Sequence, residues 1–310
     1  MNRELAIGVD VGGSHVSCAA INLNTKGYLK ETFAESDLDN HAAADVIIGI
    51  WGDTIEKTIG LAGIENISGI GFAMPGPFDY PKGISQFQGE NGKYENTYGL
   101  NVPQELQKYL KLPADMKVRF INDATAFAIG EDRFGMAKDH NGSLSITLGT
   151  GFGSAFIRDN LPILEGDDVP KQGCVWHLPF ENGIADDYFS TRGFLKRYFE
   201  QTGVQVSGVR ELAELADKEK AAKELFDDFG TKIGVFLKPW LISAKADALI
   251  IGGNISNAYT LYSAELEKSL LGENIEVRIS ELKETASMIG SAFLIDDTFY
   301  KKLLPLLSKM

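Results

Sequence analysis

The sequence predicts an α/β protein made of two similar lobes with a cleft between them. Strands alternate with helices along the chain, and a glycine-rich turn between two strands occurs twice, in the segments IGVDVGGS (7–14) and ITLGTGFG (146–153). The length of 310 residues also suits two domains of ~100–200 residues each. An internal duplication with a cleft between its halves explains these observations together.

In the first half, the pattern predicts the order β-β-β-α-β. Four segments rich in apolar and β-branched residues are typical of strands, and the first two flank a glycine turn as in a hairpin: 5–10, 16–23, 28–33 and 67–73. Between the last two, Val46, Ile50, Ile55 and Ile59 recur at about every fourth residue, which predicts a helix over 42–62.

A polar segment rich in Gly, Asn and Tyr follows at 79–99, and loops of this length inside a compact domain are usually functional or mobile. The same patterns then predict helices at 102–110, 124–133, 286–294 and 298–307, a mostly helical stretch at 186–245, and strands at 118–121, 143–148, 153–157, 248–251 and 277–279. The expected lobes are 1–121, completed by the C-terminal helices at about 295–310, and 122–294.

The composition excludes several classes of protein. Hydrophobic residues make up 44% and charged residues 24%, which are ordinary globular values and exclude a disordered or fibrous chain. A formal net charge of −13 is a poor fit for nucleic acid or an anionic membrane surface. No apolar run approaches the ~20 residues of a membrane helix. With two cysteines and no signal-peptide pattern, we expect a cytoplasmic protein.

Two glycine turns are candidate phosphate-binding sites. The first contains Gly12, Gly13 and Ser14 after Asp10, and the second contains Gly149, Thr150 and Gly151. Glycine lets the backbone approach an anion closely, and successive N–H groups can then donate to phosphate oxygens. Asp10, at the end of a strand, could hold Mg²⁺ directly or through water. Ordinary hairpins also use glycine freely, so each turn alone has two explanations.

Two further points combine a strand end with a helix start. Gly252, Gly253 and Asn254 follow a buried strand, where the ribose or base of a nucleotide could bind, although a plain strand–helix turn explains them too. Asn122 and Asp123 are residue types that favour the N-cap position of a helix. Alternatively, Asp123 is a general base that accepts a proton from a sugar hydroxyl, and Asn122 binds a neighbouring hydroxyl. Both roles can hold at once.

The order of these motifs carries more information than any one of them. The segments DVGGS (10–14), MPGPFD (74–79), INDATA (121–126), LGTGFG (148–153), GGNIS (252–256) and ASMIGSA (286–292) together resemble the ROK family of sugar kinases and repressors, over nearly the whole chain. The resemblance implies a two-lobed actin/hexokinase-like fold, in which a ribonuclease H-like unit is duplicated. It also implies ATP, Mg²⁺ and a hexose that is phosphorylated on its 6-hydroxyl, with glucose or a related hexose as the substrate.

The resemblance assigns roles to the candidate residues. Asp123 matches the catalytic base, while Asn122 and Gly76 would contact the sugar. The turns at Gly12-Gly13-Ser14 and Gly149-Thr150-Gly151 would hold the ATP phosphates, and Gly252, Gly253 and Asn254 would lie near the adenosine. Because relatives are often dimers, we also expect a homodimer.

One stretch departs from the family pattern. His177 matches a family histidine and would hydrogen-bond the sugar, but a lone histidine is often just a satisfied core group. Cys174 stands where relatives have a sugar-binding Glu, and a thiol is a weaker hydrogen-bonding group. The family zinc cysteines are absent here, so we expect no structural zinc, which wants four ligands. Asp186 is either a substitute sugar ligand or a helix N-cap.

Three alternatives stay open beside the kinase prediction. A sugar-responsive repressor of this family would carry an N-terminal helix-turn-helix, for which a first strand beginning near Leu5 leaves no room, and the negative charge opposes DNA binding. A catalytically impaired sugar-binding protein is favoured by Cys174 and opposed by the intact Asp123 and glycine turns. Inorganic polyphosphate could replace ATP as the phosphoryl donor.

Overall fold

The computed structural model describes residues 4–25, 27–89 and 92–310. The chain forms two compact units, one made of Met1–Phe134 with Glu284–Met310 and the other of Gly135–Lys283. Both units mix helices and strands, as the sequence predicts. The expected boundary after residue 121 differs from this grouping, in which the helix that follows Asn122 stays with the first unit.

The helices and strands alternate as follows. The strands are β1 (Leu5–Val11), β2 (His15–Asn22), β3 (Gly27–Tyr28), β4 (Ala34–Asp37), β5 (Ile67–Met74), β6 (Phe78–Asp79), β7 (Ile84–Ser85), β8 (Lys117–Asn122), β9 (Gly142–Leu148), β10 (Phe152–Arg158), β11 (Leu161–Ile163), β12 (Pro179–Phe180), β13 (Gly183–Ile184), β14 (Ala248–Gly252) and β15 (Glu276–Ile279). The α-helices are α1 (Ala44–Ala62), α2 (Val102–Leu110), α3 (Asp123–Phe134), α4 (Ala185–Phe189), α5 (Thr191–Thr202), α6 (Val209–Ala216), α7 (Lys220–Ser243), α8 (Tyr259–Leu270), α9 (Thr285–Ala292) and α10 (Asp297–Leu307). Among the described residues, none of these helices is long and apolar enough to cross a membrane.

The main sheet of the first unit has the order β3-β2-β1-β5-β8, with β4 also paired to β2. The predicted hairpin is β1 with β2, while β5 lies parallel to both β1 and β8. In this register Asp10 pairs with Ala73, and Met74 pairs with Asn122. Because parallel strands end at the same edge of a sheet, Asp10 and the Asn122-Asp123 pair are brought to one edge.

The third strand is shorter than the sequence predicted. The segment 28–33 contains only the end of β3, followed by a 3-10 helix at Lys30–Thr32. The Thr32 side chain explains this, because its hydroxyl donates to the Leu29 carbonyl at 2.7 Å and accepts from the Ala20 N–H at 2.8 Å. A side chain that bonds locally to the backbone competes with strand pairing in this way.

The main sheet of the second unit repeats the first arrangement. Its order is β11-β10-β9-β14-β15, with an antiparallel β9–β10 hairpin and parallel pairs β9–β14 and β14–β15. A hairpin followed by parallel strands therefore occurs in both units, as the predicted duplication requires. Aromatic side chains fill the core beneath this sheet, and the rings of Phe194 and Phe229 lie 4.5 Å apart.

Helices cover both faces of the first sheet. Cys18 contacts Thr58 of α1, whereas Gly8 lies against Met288 of α9. Val9 is the cross-strand partner of Cys18, and successive residues of a strand point to opposite faces. Since Gly8 precedes Val9, α1 and α9 lie on opposite faces of the sheet.

The α9 helix approaches its neighbours so closely that only glycine fits at the contacts. A Cβ on Gly8 would lie 1.8 Å from the Met288 carbonyl oxygen, and one on Gly71 would lie 1.8 Å from the Ser291 carbonyl oxygen. The contact with α3 is equally close, because a Cβ on Gly290 would lie 1.8 Å from the Ala126 carbonyl oxygen. Because these contact positions are glycines, α9 packs directly against the backbones of β1, β5 and α3.

This packing predicts the effect of adding one methyl group. Gly290→Ala is expected to lower the free energy of unfolding by at least about 1–3 kcal/mol, because the methyl overlaps the backbone of α3. Gly60 of α1 is exposed, with nothing near its Cβ position. Gly60→Ala should therefore stabilise the helix by about 0.5–1 kcal/mol. Urea unfolding of both variants measures the difference, and equal stabilities would contradict this account.

Candidate active site

Three carboxylates come together in the first unit, from the end of β1, the start of α3 and the residue before α9. Burial raises the pKa of Asp10 to about 8, and the negative charges of Asp123 and Glu284 add to the effect. A buried carboxylate among others ionises readily only beside a cation. Carboxylate oxygens are ligands that Mg²⁺ prefers, so this set fits the cation expected at Asp10.

Asp123 is held in one orientation by neighbouring donors. The Ala124 N–H donates to its Oδ1 at 2.8 Å, and Asn122 Nδ2 donates to the same oxygen at 2.9 Å. Burial raises the pKa of Asp123, opposed by the Ala124 N–H, the Lys93 charge and the Asn122 amide. Since both of these bonds end on Oδ1, Oδ2 is the oxygen left to bind a hydroxyl and accept its proton.

Asn122 caps α3 and positions Asp123. Its Oδ1 accepts from the Thr125 N–H at 3.1 Å, as an N-cap side chain does. Its Nδ2, besides bonding to Asp123, donates to the Tyr80 hydroxyl at 3.4 Å. Gly76 is exposed in the same region, and a Cβ on it would lie 3.5 Å from Tyr80 Oη. The sugar contacts of Asn122 and Gly76 stay predictions.

The first glycine turn leaves two amides available. The Gly12 N–H is used inside the turn, where it donates to the His15 carbonyl at 3.0 Å. The N–H groups of Gly13 and Ser14 donate to no acceptor in the part of the chain that the structure describes. Adjacent unpaired amides of this kind form an anion-binding concavity. Gly12 is therefore a framework residue, and the candidate donors are Gly13 and Ser14.

The second glycine turn repeats this pattern. The Gly149 N–H donates to the Gly151 carbonyl at 3.0 Å and closes the turn. Within the described residues, the N–H groups of Thr150 and Gly151 again find no acceptor. Each unit therefore contributes a hairpin turn whose first glycine closes it and whose next two amides can bind an anion.

Asp186 is engaged in holding the second turn. Its Oδ1 accepts from the Phe152 N–H at 2.7 Å, and its Oδ2 pairs with Arg192 at 2.5 Å. It lies within α4, which begins at Ala185, so it is not the N-cap of that helix. Both oxygens already have partners, so the predicted contact of Asp186 with a sugar would have to share or displace them.

Cys174 and His177 lie close together between β11 and β12. The distance from Cys174 Sγ to His177 Nδ1 is 3.7 Å. Burial raises the pKa of Cys174 to about 11. Burial lowers the pKa of His177, and the positive charge of nearby Lys171 lowers it further. Both side chains are therefore neutral near pH 7. No third Cys, His, Asp or Glu of the described residues completes a metal cluster with them.

Gly253 has a packing reason of its own. Its φ of 80° favours glycine, and a Cβ there would lie 2.5 Å from the Leu148 carbonyl oxygen. The helix that follows the strand begins as a 3-10 helix at Asn254–Ala258, which leads into α8. Ser256 explains it, since its N–H and hydroxyl both donate to the Gly253 carbonyl. The adenosine contacts of Gly252, Gly253 and Asn254 stay predictions.

The sequence did not identify the residues that bind the carbonyl groups of the first glycine turn. The Tyr94 hydroxyl donates to the Gly12 carbonyl, and Asn40 Nδ2 donates to the Gly13 carbonyl. Tyr94 belongs to the polar segment 79–99, in which Glu90 and Asn91 lie outside the described residues. The unusual length of that loop was the only feature of the sequence that suggested a functional role for it. Both carbonyls of the turn are occupied, which leaves its amides as the groups that can meet a ligand.

Comparisons with known proteins identify the family of this chain. The sequence profile of the ROK family matches residues 6–298, and the chain belongs to this family. A glucokinase from Thermotoga maritima is 26% identical and is matched over 96% of this chain and 99% of its own. An N-acetyl-D-glucosamine kinase from Photobacterium profundum is also 26% identical, over 93% of this chain and 98% of its own.

A solved structure shows the same fold. The ROK family glucokinase from Streptomyces griseus, in complex with glucose and AMPPNP, has a TM-score of 0.70 and 22% identity, over 94% of this chain and 98% of its own. The predicted fold class, the two-lobed actin-like ATPase fold of ROK sugar kinases, is thereby confirmed. The family resemblance drawn from the ordered motifs is confirmed as well.

The raised pKa of Asp10 predicts a pH-dependent cost to stability. Between its ordinary value of 3.8 and about 8, the folded protein holds a proton that the unfolded chain has released. The free energy of unfolding therefore falls as pH rises through this range. Asp10→Asn removes the effect and should raise the melting temperature by about 2–4 °C or more near pH 7.5.

Melting curves in EDTA at two pH values provide the measurement. Near pH 3, below both pKa values, the Asp10→Asn variant and the parent should melt nearly together, because Asp10 is then mostly protonated in both the folded and unfolded parent. A gain that is the same at both pH values would show that folding does not raise the pKa of Asp10.

Proposed function

We propose that this protein is an ATP-dependent hexose kinase, which transfers the γ-phosphoryl group of ATP to the 6-hydroxyl of glucose or a related hexose. The observation that supports this most strongly is the half-buried, oriented carboxylate of Asp123, in the same unit as Asp10 and a turn with two unpaired amides. The coarser statement, that the chain is a sugar kinase, rests on family membership and on kinase relatives that match at least 93% of it.

In the proposed reaction, Asp123 receives the proton of the attacking hydroxyl. The hydroxyl oxygen forms a bond to the γ-phosphorus, the bond from that phosphorus to the bridging oxygen breaks, and ADP leaves. Burial raises the pKa of Asp123, which makes the carboxylate a better proton acceptor. The Ala124 N–H and the Asn122 amide hold it still, so little reorganisation is needed during the step.

The phosphates are held by amides and by a cation. We propose Gly13 and Ser14 as donors to phosphate oxygens in the first unit, and Thr150 and Gly151 as donors in the second. Asp10 would hold Mg²⁺, which supplies positive charge to the phosphates when bound. Phosphoryl transfer needs little else from a protein, because positioning and charge stabilisation provide most of the acceleration.

The sugar specificity and the remaining contacts are proposals of finer detail. A glucokinase and an N-acetyl-D-glucosamine kinase among the relatives make glucose and its 2-amino derivatives the first substrates to test. The homodimeric state and the cytoplasmic location stay predictions. The contacts with the sugar and with the adenosine are also proposals. The proposed sugar contacts are Gly76, Asn122, His177 and Asp186, and the proposed adenosine contacts are Gly252, Gly253 and Asn254.

An ADP-release assay with MgATP and a panel of hexoses and amino sugars tests the proposal. We expect turnover that depends on the sugar, and Asp123→Asn should lower kcat by about 10²–10⁴-fold because it removes the proton acceptor. Asp45, an exposed carboxylate in the first turn of α1, provides the matched control. Asp45→Asn should retain full activity.

A different result would favour another function. Sugar-dependent thermal stabilisation without turnover for any sugar would indicate the catalytically impaired binding protein, in which Cys174 replaces a sugar-binding carboxylate. Turnover that survives in Asp123→Asn would show that another group accepts the proton.

A further inference from the structure

Lys93 is a half-buried lysine whose ammonium lies over the first glycine turn. A Cβ on Gly13 would be 3.5 Å from Lys93 Nζ and 3.7 Å from Lys93 Cε. In the described part of the chain, no carboxylate lies close enough to Nζ to form an ion pair with it. The Asp123 carboxylate acts on this ammonium only from beyond ion-pair distance, so within the described residues the hydrogen-bond donors of the lysine are unused. Its position therefore favours an anionic ligand.

The backbone beside Lys93 is fixed against the turn. The side chain of the next residue, Tyr94, is fully buried, and its hydroxyl donates to the Gly12 carbonyl. The Tyr94 N–H donates to the Asn40 carbonyl at 2.9 Å, and Asn40 in turn donates to the Gly13 carbonyl. These bonds connect the polar loop to the turn and limit the places that the lysine can reach.

The ammonium is close to two features of the site. It lies beside the turn whose Gly13 and Ser14 amides are unpaired, and these amides with the ammonium make a set of donors suited to phosphate oxygens. Its charge also acts on Asp123 and lowers the pKa of that carboxyl against the effect of burial. A cation near both a phosphate turn and the proposed base is placed to meet the phosphate that the attacking hydroxyl will reach.

We infer that Lys93 is a catalytic residue that binds the γ-phosphoryl group of ATP and stabilises the charge on its oxygens during transfer. This inference rests on the proposed kinase function. The lysine keeps its proton throughout and donates hydrogen bonds to the phosphoryl oxygens. The hydroxyl proton goes to Asp123, and ADP is the leaving group.

Three variants test the inference. Lys93→Met removes the charge and keeps much of the side-chain length, Lys93→Arg keeps the charge, and Lys82→Met alters an exposed lysine of the same loop, paired with Asp79. Isothermal titration calorimetry with Mg²⁺ gives the affinity for AMPPNP and for ADP. The ADP-release assay gives kcat, and a melting curve verifies that each variant is folded.

In Lys93→Met, we expect the AMPPNP affinity to fall about 10- to 100-fold and the ADP affinity to change less than about threefold. We expect kcat to fall about 10²–10³-fold, the usual loss when one charge-stabilising donor is removed. Lys93→Arg should recover part of both losses, and Lys82→Met should behave as the parent. An equal loss for ADP and AMPPNP would overturn the assignment to the γ-phosphoryl group.

The remaining outcomes separate this inference from the proposed function. Sugar turnover that is unchanged in Lys93→Met would overturn the inference and leave the kinase proposal standing. AMPPNP binding that depends on Lys93, with no turnover for any sugar, would support the phosphate site and overturn the kinase proposal. If the parent protein binds neither nucleotide, both are wrong.

Discussion

The close packing of α9 is the constraint on which the first unit depends. Its backbone lies directly against two strands and a helix, at positions where a single methyl group would overlap a carbonyl oxygen; the glycines that permit this are Gly8, Gly71, Gly130 and Gly290. Because α9, β1 and α3 are held together in this way, Glu284, Asp10 and Asp123 are brought to one place. The carboxylate cluster is therefore a consequence of backbone packing.

The same arrangement has an electrostatic cost. Burial and two neighbouring carboxylates raise the pKa of Asp10 to about 8, so the free protein carries a group that is poorly solvated and surrounded by like charge. A cation bound at Asp10 would relieve the repulsion between the carboxylates. At Asp123, the charge of the Lys93 ammonium lowers the pKa that burial raises. Buried groups whose pKa values are shifted by like-charged neighbours are common at functional sites.

The sequence predicted the parts of the structure that depend on local pattern. Alternating strands and helices, the two hairpins and the position of Asp123 at the start of α3, directly after β8, all follow from residues near each other in the chain. The third strand was too long in the prediction because the Thr32 hydroxyl bonds to the Leu29 carbonyl and Ala20 N–H, and composition does not reveal such a bond. The family followed from the order of motifs.

The sequence did not predict contacts between distant segments. Tyr94 reaches back to Gly12, Asn40 reaches to Gly13, and Asp186 holds the second turn through Phe152. Each of these bonds joins residues far apart in sequence, and no periodicity or short motif encodes them. Asp186 shows the consequence, since neither of the roles expected for it, sugar ligand or helix N-cap, included the support that its carboxylate gives to this turn.

We propose that this fold transfers a phosphoryl group from ATP to a hexose. Phosphorus NMR of a reaction with MgATP and glucose or N-acetylglucosamine tests it most directly, because it identifies the product. We expect a phosphate monoester signal to grow as the γ-phosphate signal of ATP declines, in proportion to the sugar consumed. Conversion of ATP to ADP and free phosphate alone, or no change with any hexose, would contradict it.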